Sequence, residues 1–284
     1  MRRLICAVVS CSVFAVLAAD LPQWSAPEER DHLQLGQALD TAAGEWIDAH
    51  ALADRLAGEP YVLIGEKHDN PDHHALQLWL LEQLHAQRPQ GSLLLEMLVP
   101  AQQEGLDAAR QLPELSSQAL QTRLNWNAGW PWALYGDLVQ WGLREPKQLI
   151  PANLDRDEIS RLYRGAVPPM PEYDAEQRGY LEQTIIDAHC GKLPASQIPA
   201  MLAIQYARDR RMAETLSGAA TPALLIAGSF HARKDVGLPL HWPKEPRPVV
   251  VMLVEAGAEL PSAEQADYLW LTPAMPATDY CESW

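Results

Sequence analysis

Tyr61-Val62-Leu63-Ile64-Gly65-Glu66-Lys67-His68-Asp69-Asn70-Pro71-Asp72-His73-His74 decides the reading of this chain. Four apolar residues in a row read as a strand buried on both faces, because a strand with one wet face would alternate. The run then breaks into Gly-Glu-Lys-His and opens a helix. Asp69 or Asn70 can cap it, Pro71 suits the first helical position and Asp72 places an acid in the first turn. A buried strand followed at once by a helix is half of a βαβ unit, which needs a parallel partner strand.

Working outward, further apolar runs of strand length occur at 92–97, 148–152, 223–227, 249–254 and 268–271. Helical stretches are expected at 45–57, 71–88, 100–111, 131–145 and 155–164. The alternation predicts an α/β protein with a mostly parallel sheet flanked by helices. It stops after Asp155 for about seventy residues, where 174–190 and 195–217 read as two long helices. Val167-Pro168-Pro169-Met170-Pro171 separates them from what precedes, so a smaller helical subdomain is expected over about 155–218, inserted between the third and fourth strands.

Three of these strands end in ionisable residues. The first runs into Glu66 and His68, the second into Glu96, and the fourth into Gly228-Ser229-Phe230-His231. Ligands of open α/β sheets bind beyond the carboxyl ends of the strands. A charge ending a buried strand is costly unless paired or bound. His68, Glu96 and His231 are therefore expected to converge on one crevice, provided their strands are neighbours. His73 and His74 read as structural helix residues. No His-Glu-x-x-His helix, Cys-x-x-Cys pair or Walker loop is present. The Ala227-Gly228-Ser229-Phe230-His231 turn departs from a nucleophile elbow in its last position, where a small residue belongs.

The 284 residues carry 22 Lys+Arg against 37 Asp+Glu, a formal net charge of −15, with no basic stripe. Duplex binding needs clustered cations, so nucleic acid is not an expected partner. Arg2 and Arg3 precede the apolar run Leu4 to Leu17, which ends at Ala18-Ala19. This is the layout of a secretory signal peptide over 1–19, placing residues 20–284 in the periplasm or cell envelope. Val8-Val9-Ser10-Cys11 loosely fits a lipid-attachment box, but the apolar run continues past Cys11, so simple cleavage is expected. Cys190 and Cys281 then remain as one pair, expected to bridge in an oxidising compartment.

With these features in order, the chain resembles the ChaN family of haem-binding envelope proteins, within the group that holds Tiki proteins and erythromycin-esterase-like enzymes. The resemblance is carried by residues 65–74, Leu95-Glu96-Met97, Gly129-Trp130-Pro131-Trp132-Ala133-Leu134-Tyr135 and Pro151-Ala152-Asn153-Leu154. It continues through Ala188-His189-Cys190-Gly191, Gln205-Tyr206-Ala207-Arg208-Asp209, Gly228-Ser229-Phe230-His231 and Asp279-Tyr280-Cys281. It implies haem or iron uptake or storage without catalysis, with haem held at a homodimer boundary and a tyrosine on ferric iron. A phenolate is a hard anionic donor suited to that ion. Tyr206 is the preferred ligand among Tyr135, Tyr163, Tyr173, Tyr180 and Tyr206, and His68, His231, Tyr135 and Arg208 are the other expected haem contacts. An envelope haem receptor or transporter is the implied partner.

The resemblance also carries an alternative. Two Gly-x-x-His turns and a strand-terminal Glu are similar to the pattern proposed for Tiki proteases. On that reading Glu66 or Glu96 activates water as the catalytic carboxylate, with a metal held by Glu66, His68, Glu96 and His231. A third possibility is an exported scaffold whose polar strand ends only bond one another.

Overall fold

The computed structural model describes residues 20–112 and 115–282. The expected signal segment lies outside the described residues. Among the described residues no helix is long and apolar enough to cross a membrane.

Eight strands form one sheet: β1 (Ala38–Asp40), β2 (Glu45–Ile47), β3 (Tyr61–Glu66), β4 (Ser92–Leu95), β5 (Gln148–Pro151), β6 (Ala223–Gly228), β7 (Val249–Glu255) and β8 (Tyr268–Thr272), in the order β2-β1-β8-β7-β3-β6-β4-β5. The strands β3 to β8 are mutually parallel, and β1 runs antiparallel to both β2 and β8. All six expected strands are present. β3, β4 and β6 are buried along their whole length, as unbroken apolar runs require.

The short β1–β2 hairpin is a correction, since residues 45–47 were expected to begin a helix. Gly44, at φ +70, turns the chain back, and Trp46 pairs with Leu39. Asp48 then accepts a hydrogen bond from the Ala51 amide and starts α1 (Ala49–Ala57) two residues later than the strand ends. Three-residue strands are too short for a period to show.

Around the sheet lie α2 (Pro71–Gln87), α3 (Gln103–Arg110), α4 (Ser117–Arg123) and α5 (Trp132–Arg144). The start of α2 follows its sequence: the Asn70 side chain accepts from the Asp72 amide, with Pro71 in the first turn. Asp72 in turn accepts from the Ser25 and Ala26 amides, pinning the N-terminal segment to the helix. One apolar core lies beneath α1, α2 and α5, and a second lies on the opposite face of the sheet.

Between β5 and β6 come α6 (Arg156–Arg164), α7 (Ala175–Ala188) and α8 (Ile198–Gly218). These three helices form a helical insertion between the two strands. It has its own small core of Met170, Tyr173, Leu181, Leu202, Tyr206 and Val236. The Pro-rich break separates α6 from α7, and Cys190 and Cys281 form the expected disulfide. One turn of helix, α9 (Ser229–Ala232), follows β6.

Candidate functional site

Register brings the three ionisable strand ends together. β6 lies between β3 and β4, Glu66 is level with Gly228, and the Glu96 amide donates to the Ile226 carbonyl at 3.1 Å. The crevice beyond these ends contains two histidine–carboxylate groups, separated by the width of one glycine.

The first group is built on β3 and the loop after it. His68 Nδ1 lies 2.8 Å from Glu66 Oε1, to which the Tyr135 hydroxyl also donates at 2.7 Å. Gln77 Nε2 donates to the other carboxylate oxygen at 2.5 Å. Burial alone would lower the His68 pKa, but the bond to Glu66 and the charges of Glu96 and Glu66 outweigh it, and the net shift is upward. Burial and the adjacent Glu66 raise the Tyr135 phenol well above its ordinary range. The Trp130 ring stands edge-on to His68 at 4.9 Å, and the His68 side chain keeps 41% of its surface exposed.

The second group joins the sheet to the helical insertion. Asp209, wholly buried on α8, places Oδ1 2.5 Å from His231 Nδ1, while His231 Nε2 lies 3.4 Å from Glu96 Oε1. The Gly228 amide donates to Glu96 Oε2 at 2.8 Å. Burial opposes charge on His231, yet Glu96 and Asp209 on either side raise its pKa to about 10. The same imidazolium holds Glu96 down at about 2 against the effect of burial. Burial raises Asp209, opposed by His231. Gln205 Nε2, one turn back on α8, is 3.0 Å from His231 Nδ1, and Tyr173 donates to Asp209 Oδ2 at 3.3 Å.

Gly228 separates the groups. A Cβ there would sit 2.6 Å from His68 Nε2 and 3.7 Å from Glu96 Oε2. Glycine is needed here for close approach rather than for its backbone angle, since its φ is −58.

The structure therefore gathers Glu66, His68, Glu96, His231 and Tyr135. Tyr206 and Arg208 lie on α8, beside Gln205 and Asp209. The Tyr206 ring is buried against Tyr173 and His241, and its hydroxyl donates to Glu172 at 2.6 Å. Burial and that bond push its pKa up to about 12. His73 and His74 are structural. His73 Nδ1 accepts from the Lys67 amide while Nε2 meets Thr272, and His74 Nε2 meets the His68 carbonyl. Asp209 and Gln77 were absent from the sequence candidates. For Asp209 the available signal was its four-residue step from Gln205. Among the described residues no group of three or more His, Cys, Asp or Glu side chains is arranged to hold a metal ion. Glu66, His68, Glu96 and His231 bond one another and their neighbours instead.

The haem-binding uptake family ChaN, of the Tiki superfamily, matches residues 52–241, a span that contains every residue of this site. The chain belongs to that family. A solved structure described as cofacial haem binding to ChaN of Campylobacter jejuni resembles it with TM-score 0.73 and 29% identity, covering 82% of this chain and 95% of that one. An erythromycin esterase, EreC, gives TM-score 0.45 at 12% identity over 73% of each chain. The effector domain RRSP from Vibrio vulnificus gives 0.41 at 13%, over 72% of this chain and 37% of that one. Neither of these two weaker likenesses carries an argument. No curated protein matches the chain.

Haem, the ligand of the ChaN family, is a flat apolar disc with two carboxylates. Two features of the crevice fit it. Phe230, next to His231 in the chain, is 49% exposed, an apolar ring open to solvent. Arg208 is half-buried, its Nε is sealed from solvent, and among the described residues no hydrogen bond or ion pair reaches it. Among the described residues every other arginine that is not exposed has a partner.

Proposed function

We propose that this ChaN-family chain is an exported haem-binding protein of the cell envelope, acting in haem or iron uptake or storage. Haem lies over the C-terminal ends of β3, β6 and β4, and a second copy of the chain covers its other side. Arg208 is the observation that carries the reading. Leaving a guanidinium partly buried and unpaired costs free energy that a ligand carboxylate returns as a charge-assisted pair. Three steps along α8 from Gln205, the side chain leaves the helix on the His231 side. Phe230 offers a porphyrin an apolar face, and burying a plane that one chain cannot cover favours a dimer.

Bound haem supplies a ferric centre that prefers a hard anionic donor. Tyr206, the ligand preferred from sequence, must leave Glu172 and lose its proton against a raised pKa. Tyr163, on α6 beside α8, is 40% exposed, and its hydroxyl has no hydrogen bond among the described residues. We therefore assign the phenolate to Tyr163. Hemin spectra of Tyr163→Phe and Tyr206→Phe test this: the ferric phenolate charge-transfer band is expected to vanish in the first and persist in the second. The reverse result returns the role to Tyr206.

The hydrolytic reading retains one observation in its favour. His68 is half-exposed and oriented by Glu66, as a general base would be. Turnover of a reporter ester that is lost in His68→Ala would support that role.

A further inference from the structure

The C-terminal tail runs from the end of β8 past the loop after β3 to the helical insertion. After β8, the Pro273 carbonyl accepts from Asn70 Nδ2 at 3.0 Å, and the Met275 amide donates to Glu255 Oε1 at 3.0 Å. Glu255 also holds Lys67 Nζ at 3.1 Å and Asn70 Nδ2 at 2.8 Å. Beyond Met275 every described residue, 276–282, is exposed. Among the described residues, two links tie that stretch to the rest of the chain. The Tyr280 hydroxyl bonds Asp69, and Cys281 is bridged to Cys190 just past the end of α7.

Both anchors matter to the site. Asp69 follows His68 directly in the β3–α2 loop and also lies 3.3 Å from Lys67 Nζ. Cys190 belongs to the helical insertion, whose α8 supplies Asp209 to His231. The strap thus fastens the loop that carries His68 to the insertion that holds His231, beside the crevice between them. Seven exposed residues have too little buried area to stay in place without a covalent anchor. Cys281 is exposed and Cys190 half-buried, so the bond is open to attack from solvent.

We propose that Cys190–Cys281 is a thiol-exchange site through which an envelope dithiol reductant releases the strap and loosens the grip on the ligand. A thiolate of the reductant attacks the exposed Cys281 sulfur, the S–S bond breaks, and Cys190 leaves as a thiolate that takes a proton. The second thiol of the reductant, losing its own proton, then resolves the mixed disulfide. The reductant ends as a disulfide, two electrons have passed to the protein, and Cys190 and Cys281 are both thiols. The freed tail no longer holds Tyr280 at Asp69, and loop 67–70 gains the freedom the strap removed. The envelope setting of the reductant and the consequence for haem rest on the function proposed above.

The test compares the oxidised protein with the double variant Cys190→Ser/Cys281→Ser, using hydrogen exchange by mass spectrometry and hemin dissociation. Tyr280→Phe, with the bridge intact, serves as the second variant. In the double variant, exchange across 66–70 is expected to rise about tenfold or more, since releasing about 1.4 kcal/mol of local stability multiplies the open population by ten. Hemin is expected to leave about tenfold faster by the same conversion, and Tyr280→Phe is expected to give a smaller change in the same direction. Unchanged exchange at 66–70 in both variants overturns the strap. If the oxidised protein takes up no hemin but the exchange result holds, the strap stands and the haem reading fails. If exchange rises while hemin dissociation is unchanged, the bridge anchors the tail and does not govern the ligand, which overturns the control claimed here.

Discussion

Gly228 and His68 are fitted to one another, because a Cβ on residue 228 would stand 2.6 Å from the His68 Nε2 atom. The neighbouring strand end thereby sets the position of the imidazole above the crevice. Gly228→Ala displaces the His68 ring without demanding a forbidden backbone angle. Overpacking of this kind costs about 1–3 kcal/mol, read as a lower urea midpoint. Hemin affinity is expected to fall about tenfold, equivalent to about 1.4 kcal/mol. Wild-type affinity with wild-type stability would show that the close approach is idle.

The two charges at the sheet ends fix opposite pH limits. His231 has its folded pKa raised to about 10, so its contribution is complete below the unfolded value of about 6.5 and is lost as pH rises through 10. Glu96, lowered to about 2, contributes fully above its unfolded value of about 4.5 and loses that contribution as pH falls through 2. The wild-type melting temperature is therefore expected to drop between pH 7 and 10, and His231→Gln is expected to flatten that slope. Parallel slopes would contradict the assignment.

Arg208 distinguishes binding from folding. Its Nε is buried and has no partner among the described residues, so Arg208→Met removes an unpaired polar atom and is expected to leave thermal stability unchanged or raise it. Hemin affinity is expected to fall about tenfold or more, since hydrogen bonds to charged groups are worth about 1.5–3 kcal/mol. A large loss of stability would mean that Arg208 serves the fold.

Tyr135 shows the opposite balance. Its hydroxyl is buried on Glu66, and Tyr135→Phe leaves a carboxylate oxygen short of one donor. The expected cost is about 1–3 kcal/mol in urea unfolding, while the ferric phenolate band of bound hemin is retained.

The strands β3, β4 and β6 were legible because double-sided burial writes itself as unbroken apolar runs such as Leu224-Leu225-Ile226, while the edge strand β5, partly exposed, carries a shorter one. The meeting of His68, Glu96 and His231 could be anticipated as far as the rule about strand carboxyl ends reaches. The order β3-β6-β4, which makes them neighbours, is a matter of tertiary packing. The β1–β2 hairpin was hidden by its length. Asp209 was hidden by distance: α8 carries it to His231 from outside the sheet, and its four-residue step from Gln205 does not say that its partner lies on another layer. The proposal of Tyr163 over Tyr206 rests on exposure, a property of the folded surface that the spacing of tyrosines does not encode.

The most direct test is a hemin titration of the oxidised protein followed at the Soret band, with native mass recorded at each point. The account predicts a saturable red shift ending at one hemin per chain, with the saturated species a dimer whose formation is weakened by both His68→Ala and His231→Ala. Non-saturating uptake that is indifferent to both substitutions would contradict it.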